Sequence, residues 1–373
     1  NINGKGILSA QLDQQTTLGH NLNLNLQKQR GSLIGGVGYL EESDTYDPND
    51  LGFNYNNNRR IFEASIAYRE FQPKLEKLMK WSVNSSFSQT YLYDPSVFTS
   101  NMATLNFFAV TKKFNAFGGN GGATLKPTQD YFEPRTDGAV FTIPQFYFFN
   151  TWFSTNYQRK VAIDAGGSMN QYIGNPWKQY AYNFSPRLRL SDAIFLIYSF
   201  EKELQYNNLG YAIPFATPAM SYQGILFGQR NRNTTVQAIA LDYIMTNRMS
   251  LSLRLRHYRS TLQYESFSLL QEDGSLSLLP DFNGLTTEGK SAYDINYNAF
   301  TIDLVYRWVF MPGSEINIVW KNSVFASNNA VNVAYWQDLS STLQTNALNS
   351  FSFKLIYWLD AQQLRKDRSI LPR

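Results

Sequence analysis

The 373-residue sequence predicts an all-β protein, specifically a transmembrane antiparallel β-barrel of about sixteen strands. Composition supports this class, because aromatic residues make up 16% of the chain and charged residues only 17%. The mean hydropathy is -0.35, and polar residues interrupt every apolar stretch well before about 18 residues. Transmembrane helices are therefore excluded, and strands are the elements that we expect to cross a membrane.

Alternation of apolar and polar residues predicts the strands. In residues 249–258, Leu251, Leu253 and Leu255 share one face of a strand. A soluble β-sandwich also alternates, so strand length has to decide between the two folds. The predicted strands run about 10 to 14 residues, which suits a tilted membrane strand better than a soluble strand of about 5 to 6 residues. The same alternation recurs in residues 22–27, 194–200, 300–308, 316–320 and 351–357.

The predicted connections alternate between tight turns and long loops. Outer-membrane barrels show this asymmetry, with short periplasmic turns and long extracellular loops. Pro312-Gly313 is typical of such a turn, because proline presets its φ and glycine accepts a positive φ. We therefore predict a barrel over residues 1–360 in the bacterial outer membrane and a periplasmic C-terminal tail over residues 361–373. Long loops are predicted at residues 44–58, 129–144, 207–232, 263–298 and 328–346.

Composition also limits the chemistry. Cysteine is absent, which excludes disulfides, zinc-thiolate sites and a cysteine nucleophile. The net charge of +4 is spread without a basic run before the C-terminal tail, so no nucleic-acid partner is predicted. Two histidines are present, His20 and His257, and neither lies in a pattern typical of a serine hydrolase. We predict that the chain is not an enzyme and holds no cofactor or metal centre.

Charged residues on the face opposite the leucines are the main site candidates. We expect them to face the lumen, where opposite charges on neighbouring strands can pair across the ladder. They either form a salt-bridge network that stiffens the barrel or line a pore that selects solutes. A balanced mix of signs gives weak selectivity, which favours the structural role. The predicted network comprises Arg187, Arg189, Glu201, Glu203, Arg254, Arg256, Asp303, Arg307, Glu315 and Lys321.

One loop is a candidate for weak cation binding. Asp44, Asp47, Asn49 and Asp50 form an oxygen-rich segment. The segment lacks the spacing and the bidentate glutamate of an EF-hand. Turn formation by Asp and Asn residues is the favoured interpretation.

Nine segments carry a family resemblance, namely residues 46–53, 131–135, 152–155, 185–187, 227–230, 253–258, 299–306, 312–315 and 319–323. They resemble a Bacteroidota outer-membrane barrel family of unassigned function. This resemblance implies an outer-membrane barrel, and full-length members carry an N-terminal domain similar to family-9 carbohydrate-binding modules. No segment of this chain matches that domain, so the resemblance implies the C-terminal part of a longer protein and leaves open whether early strands are missing.

The favoured function is a binding or assembly subunit of a larger outer-membrane complex with a loop-constricted lumen. Loops 207–232 and 263–298 carry apolar residues that we expect to cover the barrel mouth or to meet a partner. A porin-like or glycan-uptake channel is the alternative, and a membrane-embedded hydrolase is the least favoured. The expected partners are the lipid bilayer, lipopolysaccharide and outer-membrane proteins, with a glycan as candidate ligand.

Overall fold

The computed structural model describes residues 2–11, 17–49, 54, 56–220 and 222–359. The regular secondary structure of these residues is almost entirely antiparallel β-sheet, as the sequence predicts. Seventeen strands of the described residues form one sheet, and two short strands form a separate hairpin. No helix in the described part of the chain is long and apolar enough to cross a membrane.

Each long strand pairs with the next long strand along the chain, so the sheet is a meander. The hairpin of β8 (Thr128–Asp130) and β9 (Phe141–Ile143) lies in the connection between β7 (Ala116–Ala123) and β10 (Phe146–Ser154), which pair with each other. The first strands are β1 (Ile2–Gln11), β2 (Thr17–Lys28), β3 (Leu33–Glu42), β4 (Arg59–Glu70), β5 (Leu78–Tyr91), β6 (Phe98–Thr111), β7 (Ala116–Ala123), β8 (Thr128–Asp130), β9 (Phe141–Ile143) and β10 (Phe146–Ser154).

The second half of the sheet contains the longest strands. It consists of β11 (Val161–Tyr172), β12 (Lys178–Arg189), β13 (Ile194–Tyr211), β14 (Leu226–Thr246), β15 (Met249–Leu270), β16 (Leu276–Leu278), β17 (Ile295–Met311), β18 (Ser314–Asn328) and β19 (Leu348–Ile356). A single helix of the described residues, α1 (Tyr335–Leu343), lies in the connection between β18 and β19.

Two predicted loops are shorter than expected, because β13, β14 and β15 run 18, 21 and 22 residues. The predicted loops 207–232 and 263–298 shrink to residues 212–225 and 271–294. The alternation of apolar and polar side chains stops at the predicted strand ends. The backbone pairing between the strands continues beyond these ends, across two β-bulges. Hydrogen bonding between backbones does not require apolar side chains, so the sequence pattern underestimates these strands.

Within the described ranges, no pairing joins β1 to β19, so the sheet has two free edges and is not closed. The described strands do not form the closed barrel that the sequence predicts, and the number of strands in a barrel stays a prediction. Closure depends on one pairing between residues more than three hundred positions apart. No local pattern in the sequence specifies such a pairing.

One cavity of about 650 Å³ is lined by residues of every strand from β10 to β15.

The two faces of the sheet differ in character. Leu253, Leu304, Trp320 and Phe351 lie side by side across β15, β17, β18 and β19, and we call their side the apolar face. One residue along each strand, Arg254 pairs with Asp303 and Asp303 with Lys321 on the opposite, polar face. The cavity of about 650 Å³ is lined by charged residues of the polar face.

The glycine-rich strand β7 shows how closely this sheet is packed. On its polar face, a Cβ added to Gly118 would lie 2.7 Å from the Phe107 carbonyl oxygen and 3.0 Å from the Trp152 ring. A Cβ added to Gly122 would lie 2.6 Å from the Ala103 carbonyl oxygen and 2.7 Å from the Phe148 ring. Glycine is required at both positions because these aromatic rings lie across the strand.

Candidate functional site

The cavity on the polar face is the main candidate site. Both signs of charge contribute to its lining, with Glu201 and Glu203 from β13 and Arg232 and Arg256 from β14 and β15. Trp152 contributes an aromatic ring from β10. Gly166, Ser168 and Ala181 have small side chains and leave room between these larger groups. The cavity therefore offers hydrogen-bond donors, acceptors and an apolar surface to a polar solute or to water.

Ion pairs fix the charged groups beside this cavity. Arg232 donates to Glu203 at 2.6 Å, and Gln179 donates to the same carboxylate at 2.9 Å. Nearer the end of the sheet where tight turns join the strands, Arg187 Nε donates to Asp164 Oδ2 at 2.8 Å. Both arginines are partly exposed to the interior, so each pair contributes little to stability and serves mainly to hold the side chains in place.

A second group of charges lies on the same face of β14 to β18, around a smaller cavity of about 390 Å³. Lys321 Nζ lies 3.7 Å from Asp303 Oδ1, and Arg254 lines the same cavity. Closer to the turn, Arg307 donates two hydrogen bonds to Glu315, at 2.5 and 2.8 Å. Asp303 with Lys321 and Arg307 with Glu315 are thus pairs of opposite charge on this face, and their place in a lumen network stays a prediction.

Part of the predicted network pairs differently. The register places Arg187 opposite Ile197 and Glu201 opposite Asn183, so Arg187 and Arg189 do not lie opposite the glutamates of β13. Arg189 lies over the Phe195 ring at 5.3 Å, and Arg256 lies over the Tyr258 ring at 5.9 Å. Asp164 pairs with Arg187, and Arg232 pairs with Glu203. Neither Asp164 nor Arg232 was predicted from the sequence, because alternation of apolar and polar residues shows the face on which a residue lies but not the register of its strand.

Loop 271–294 covers the loop end of the polar face. Phe267 pairs with Gly228, which lies on the same face of β14 as Arg230 and Arg232. The Phe267 ring packs against Phe282 at 4.9 Å and against Tyr293 at 4.7 Å, measured between ring centroids. All three rings are buried, and together with Ala212, Ala292, Leu226, Tyr264 and Leu279 they form a small hydrophobic core.

Two further contacts hold this cover in place. The backbone N–H of Thr142 donates to the Gly274 carbonyl at 2.9 Å, which connects the β8–β9 hairpin to the tip of the loop. Glu133 from the same hairpin connection accepts a hydrogen bond from the Tyr211 backbone N–H at 2.7 Å. Burial raises the pKa of Tyr293 above its ordinary value, so its hydroxyl stays neutral within the core. Loop 271–294 is therefore packed and not free.

A polar network lies on the opposite, apolar face, under α1. Arg259 donates to Asp338 at 2.6 Å, and both side chains are more than nine-tenths buried. Asn296 donates to both oxygens of Asp338 at 3.0 Å. The Tyr335 hydroxyl and His257 Nδ1 lie 2.6 Å apart, and burial raises the pKa of Tyr335. Sequence analysis missed this network, because Asp338 and Arg259 are far apart in the chain.

The remaining candidates lie elsewhere. His20 Nε2 lies 2.9 Å from Glu41 Oε1, and among the described residues neither histidine ring contacts a serine hydroxyl. The hydrolase alternative therefore gains no support from them.

Asp44, Asp47 and Asn49 lie in the loop between β3 and β4, whereas Asp50 lies outside the described residues. Asp47 Oδ1 accepts from the Asn49 backbone N–H at 2.9 Å, the contact of an Asx turn. No group of three His, Asp or Glu side chains in the described segments gathers to hold a metal ion.

The described residues define the class of this protein as a nearly all-β protein, built on one large antiparallel sheet with a polar and an apolar face. A model of a family described as a domain of unknown function, DUF5916, matches residues 1–368, and the chain belongs to that family. No curated protein matches the chain.

Two solved structures of the outer-membrane protein OmpT of Vibrio cholerae are similar to it. The protein folded in vitro is 9% identical, with a TM-score of 0.27 and coverage of 82% of this chain and 95% of that chain. The protein expressed in the outer membrane is 10% identical, with a TM-score of 0.29 and the same two coverages. These TM-scores are too low for the superpositions to carry an argument about this chain.

Proposed function

We propose that the chain is an integral outer-membrane β-barrel protein that serves in binding or assembly and not as an open channel. The observation that carries this proposal is the buried aromatic core of loop 271–294 on the polar face. An aromatic cluster of this kind holds the loop over one end of the interior, where it narrows any passage along the polar face.

The apolar face supports the membrane part of the proposal. Phe351, Phe353 and Leu355 are 74%, 66% and 54% exposed on the outer side of β19. In water such a surface would promote aggregation, whereas in a bilayer it is the ordinary lipid contact. From Phe300 to Trp308 the row runs about 27 Å along β17, or about 21 Å across a bilayer at a tilt of about 40°. This height is close to the apolar band of about 25 Å in known barrels.

Planar-bilayer recordings test the proposal. We expect the intact protein to conduct weakly and a variant with residues 272–293 replaced by a short Gly-Ser linker to conduct strongly. The matched control replaces residues 330–346, which lie on the apolar face and should leave conductance unchanged. Circular dichroism of all three proteins checks that the sheet is retained. Large, stable conductance from the intact protein contradicts the proposal.

Solute uptake is a second candidate function, and the cavity of about 650 Å³ with its mixed charges and Trp152 ring favours it. The Bacteroidota origin and the carbohydrate-binding-like domain that the resemblance implies stay predictions, and they bear only on the glycan-uptake form of this alternative. Contacts with lipopolysaccharide and with other outer-membrane proteins belong to the proposal, because they follow from the proposed location.

A further inference from the structure

Helix α1 buries polar side chains and exposes large apolar ones, whereas a helix at the surface of a soluble protein does the opposite. Its buried side chains are polar, since Asp338 and Thr342 are 4% and 1% exposed. Trp336 and Leu343, which are seven residues apart and therefore on one side of the helix, are 71% and 51% exposed. Trp336 and Leu343 thus point away from the protein, on an exposed side that also carries Gln337, Ser340 and Ser341.

The polar side of α1 is fixed firmly to the sheet. Arg259 reaches both Asp338, at 2.6 Å, and the backbone carbonyl of Val333 just before the helix, at 2.7 Å. Asn296 adds hydrogen bonds to Asp338 and to the Ala330 carbonyl. This buried network determines which side of the helix is left exposed.

The position of α1 coincides with the edge of the apolar band. Leu255 is the upper member of the apolar row on β15 and Phe300 that of the row on β17, and the rows turn polar at His257 and Asn298. Arg259 pairs directly with Asn298. Because α1 is attached to this row of residues, it lies where the apolar face ends on the loop side of the sheet.

We propose that α1 is an interfacial anchor, which lies in the outer boundary of the bilayer with Trp336 and Leu343 among the upper acyl chains. This inference rests on the proposed membrane location. Lipid is the occupant that the structure favours, because the exposed side of α1 continues the apolar face and lies at its edge. Tryptophan is the residue most typical of this boundary, and an amphipathic helix that lies in it buries its apolar side to a depth of about 5–10 Å.

Depth-dependent fluorescence quenching tests the anchor. Single-tryptophan variants of the full chain are prepared in which every other Trp is changed to Phe, and they are folded into vesicles that contain lipids brominated near the headgroup or near the chain end. One variant keeps Trp336, a second keeps Trp320 in the middle of the apolar face, and a third keeps Trp152 on the polar face. We expect shallow bromine to quench Trp336, deep bromine to quench Trp320, and neither to quench Trp152.

The outcomes separate the anchor from the membrane location. If Trp320 is quenched and Trp336 is not, α1 faces water or a protein partner and the anchor is wrong while the barrel proposal stands. If neither is quenched, the membrane location itself fails. Adding Asp338→Ala to the Trp336 variant should reduce its quenching, because α1 loses its attachment; unchanged quenching would show that the network does not orient the helix.

Discussion

At the scale of single residues, Asp338 shows how a buried carboxylate can determine local structure. It neutralises Arg259 and accepts two hydrogen bonds from Asn296, all out of contact with water. Removing one partner of such a pair leaves the other charge buried and uncompensated, which is far more costly than the pair itself is favourable.

We predict that Asp338→Ala destabilises the attachment of α1 by about 3–5 kcal/mol. Denaturant titration followed by Trp336 emission, together with proteolysis within residues 329–347, measures this release. The control is Glu288→Ala, which removes the exposed ion pair with Lys290 and should cost less than about 1 kcal/mol. Equal effects of the two substitutions would contradict the importance of burial.

A second residue-scale prediction separates the two faces of β17. Leu304→Arg should cost about 2–4 kcal/mol in vesicles, because it places a charge against hydrocarbon. Val305→Arg, one position along on the polar face, should cost much less because its side chain reaches water and the carboxylate of Asp303. Folding free energies from denaturant titration provide the comparison. Similar costs for both variants would show that the assignment of the faces is wrong.

Alternation in the sequence predicted this division of residues between two faces. The structure places Leu253, Leu304, Arg254 and Asp303 on the faces that alternation assigns to them. The partners of each charge could not be predicted in the same way, because they depend on register. Arg187 therefore pairs with Asp164 instead of a glutamate of β13.

At the scale of elements, the size of the side chains that strand β7 can carry is limited by atoms of the neighbouring strands and not by the strand propensity of its own residues. We predict that Gly122→Ala costs about 1–3 kcal/mol, because the new methyl group would overlap the Ala103 carbonyl oxygen and the Phe148 ring. Gly121→Ala is the control, since its nearest atom, the Phe148 carbonyl oxygen, is 3.3 Å away. Denaturant midpoints of the two variants in the same vesicles test the difference, and equal midpoints would refute it.

Helix α1 could not be predicted from the sequence for a physical reason. A helix is usually recognised by apolar residues that recur on its buried side, and in α1 that side carries Asp338 and Thr342. The extra length of β13 to β15 was missed for a related reason, because backbone pairing continues where side-chain alternation has stopped.

At the scale of the whole molecule, the free edges of β1 and β19 are incompatible with hydrocarbon, where unpaired backbone groups cost several kcal/mol each. We predict that in a bilayer the two edges pair with each other. The chain contains no cysteine, so disulfide cross-linking can test this without background. Lys5→Cys is combined in turn with Ser350→Cys, Ser352→Cys and Lys354→Cys, all on the polar face.

A cross-link in one of these pairs that forms in vesicles and not in denaturant supports closure. Lys5→Cys with Phe353→Cys, on the opposite face, is the control and should not cross-link. If no polar-face pair reacts, other strands occupy the edges, and the sheet described above is only one part of a larger barrel.

In the proposed outer-membrane location, the length of β15 determines how far the protein extends outside the cell. Its 22 residues extend about 75 Å along the strand, or about 57 Å along the membrane normal at a tilt of about 40°. An apolar band of about 25 Å leaves roughly 30 Å of this ribbon standing above the bilayer. The paired strands β14 and β15 then extend from the membrane with loop 271–294 at their outer end. There the loop is accessible to antibodies and phage applied to intact cells.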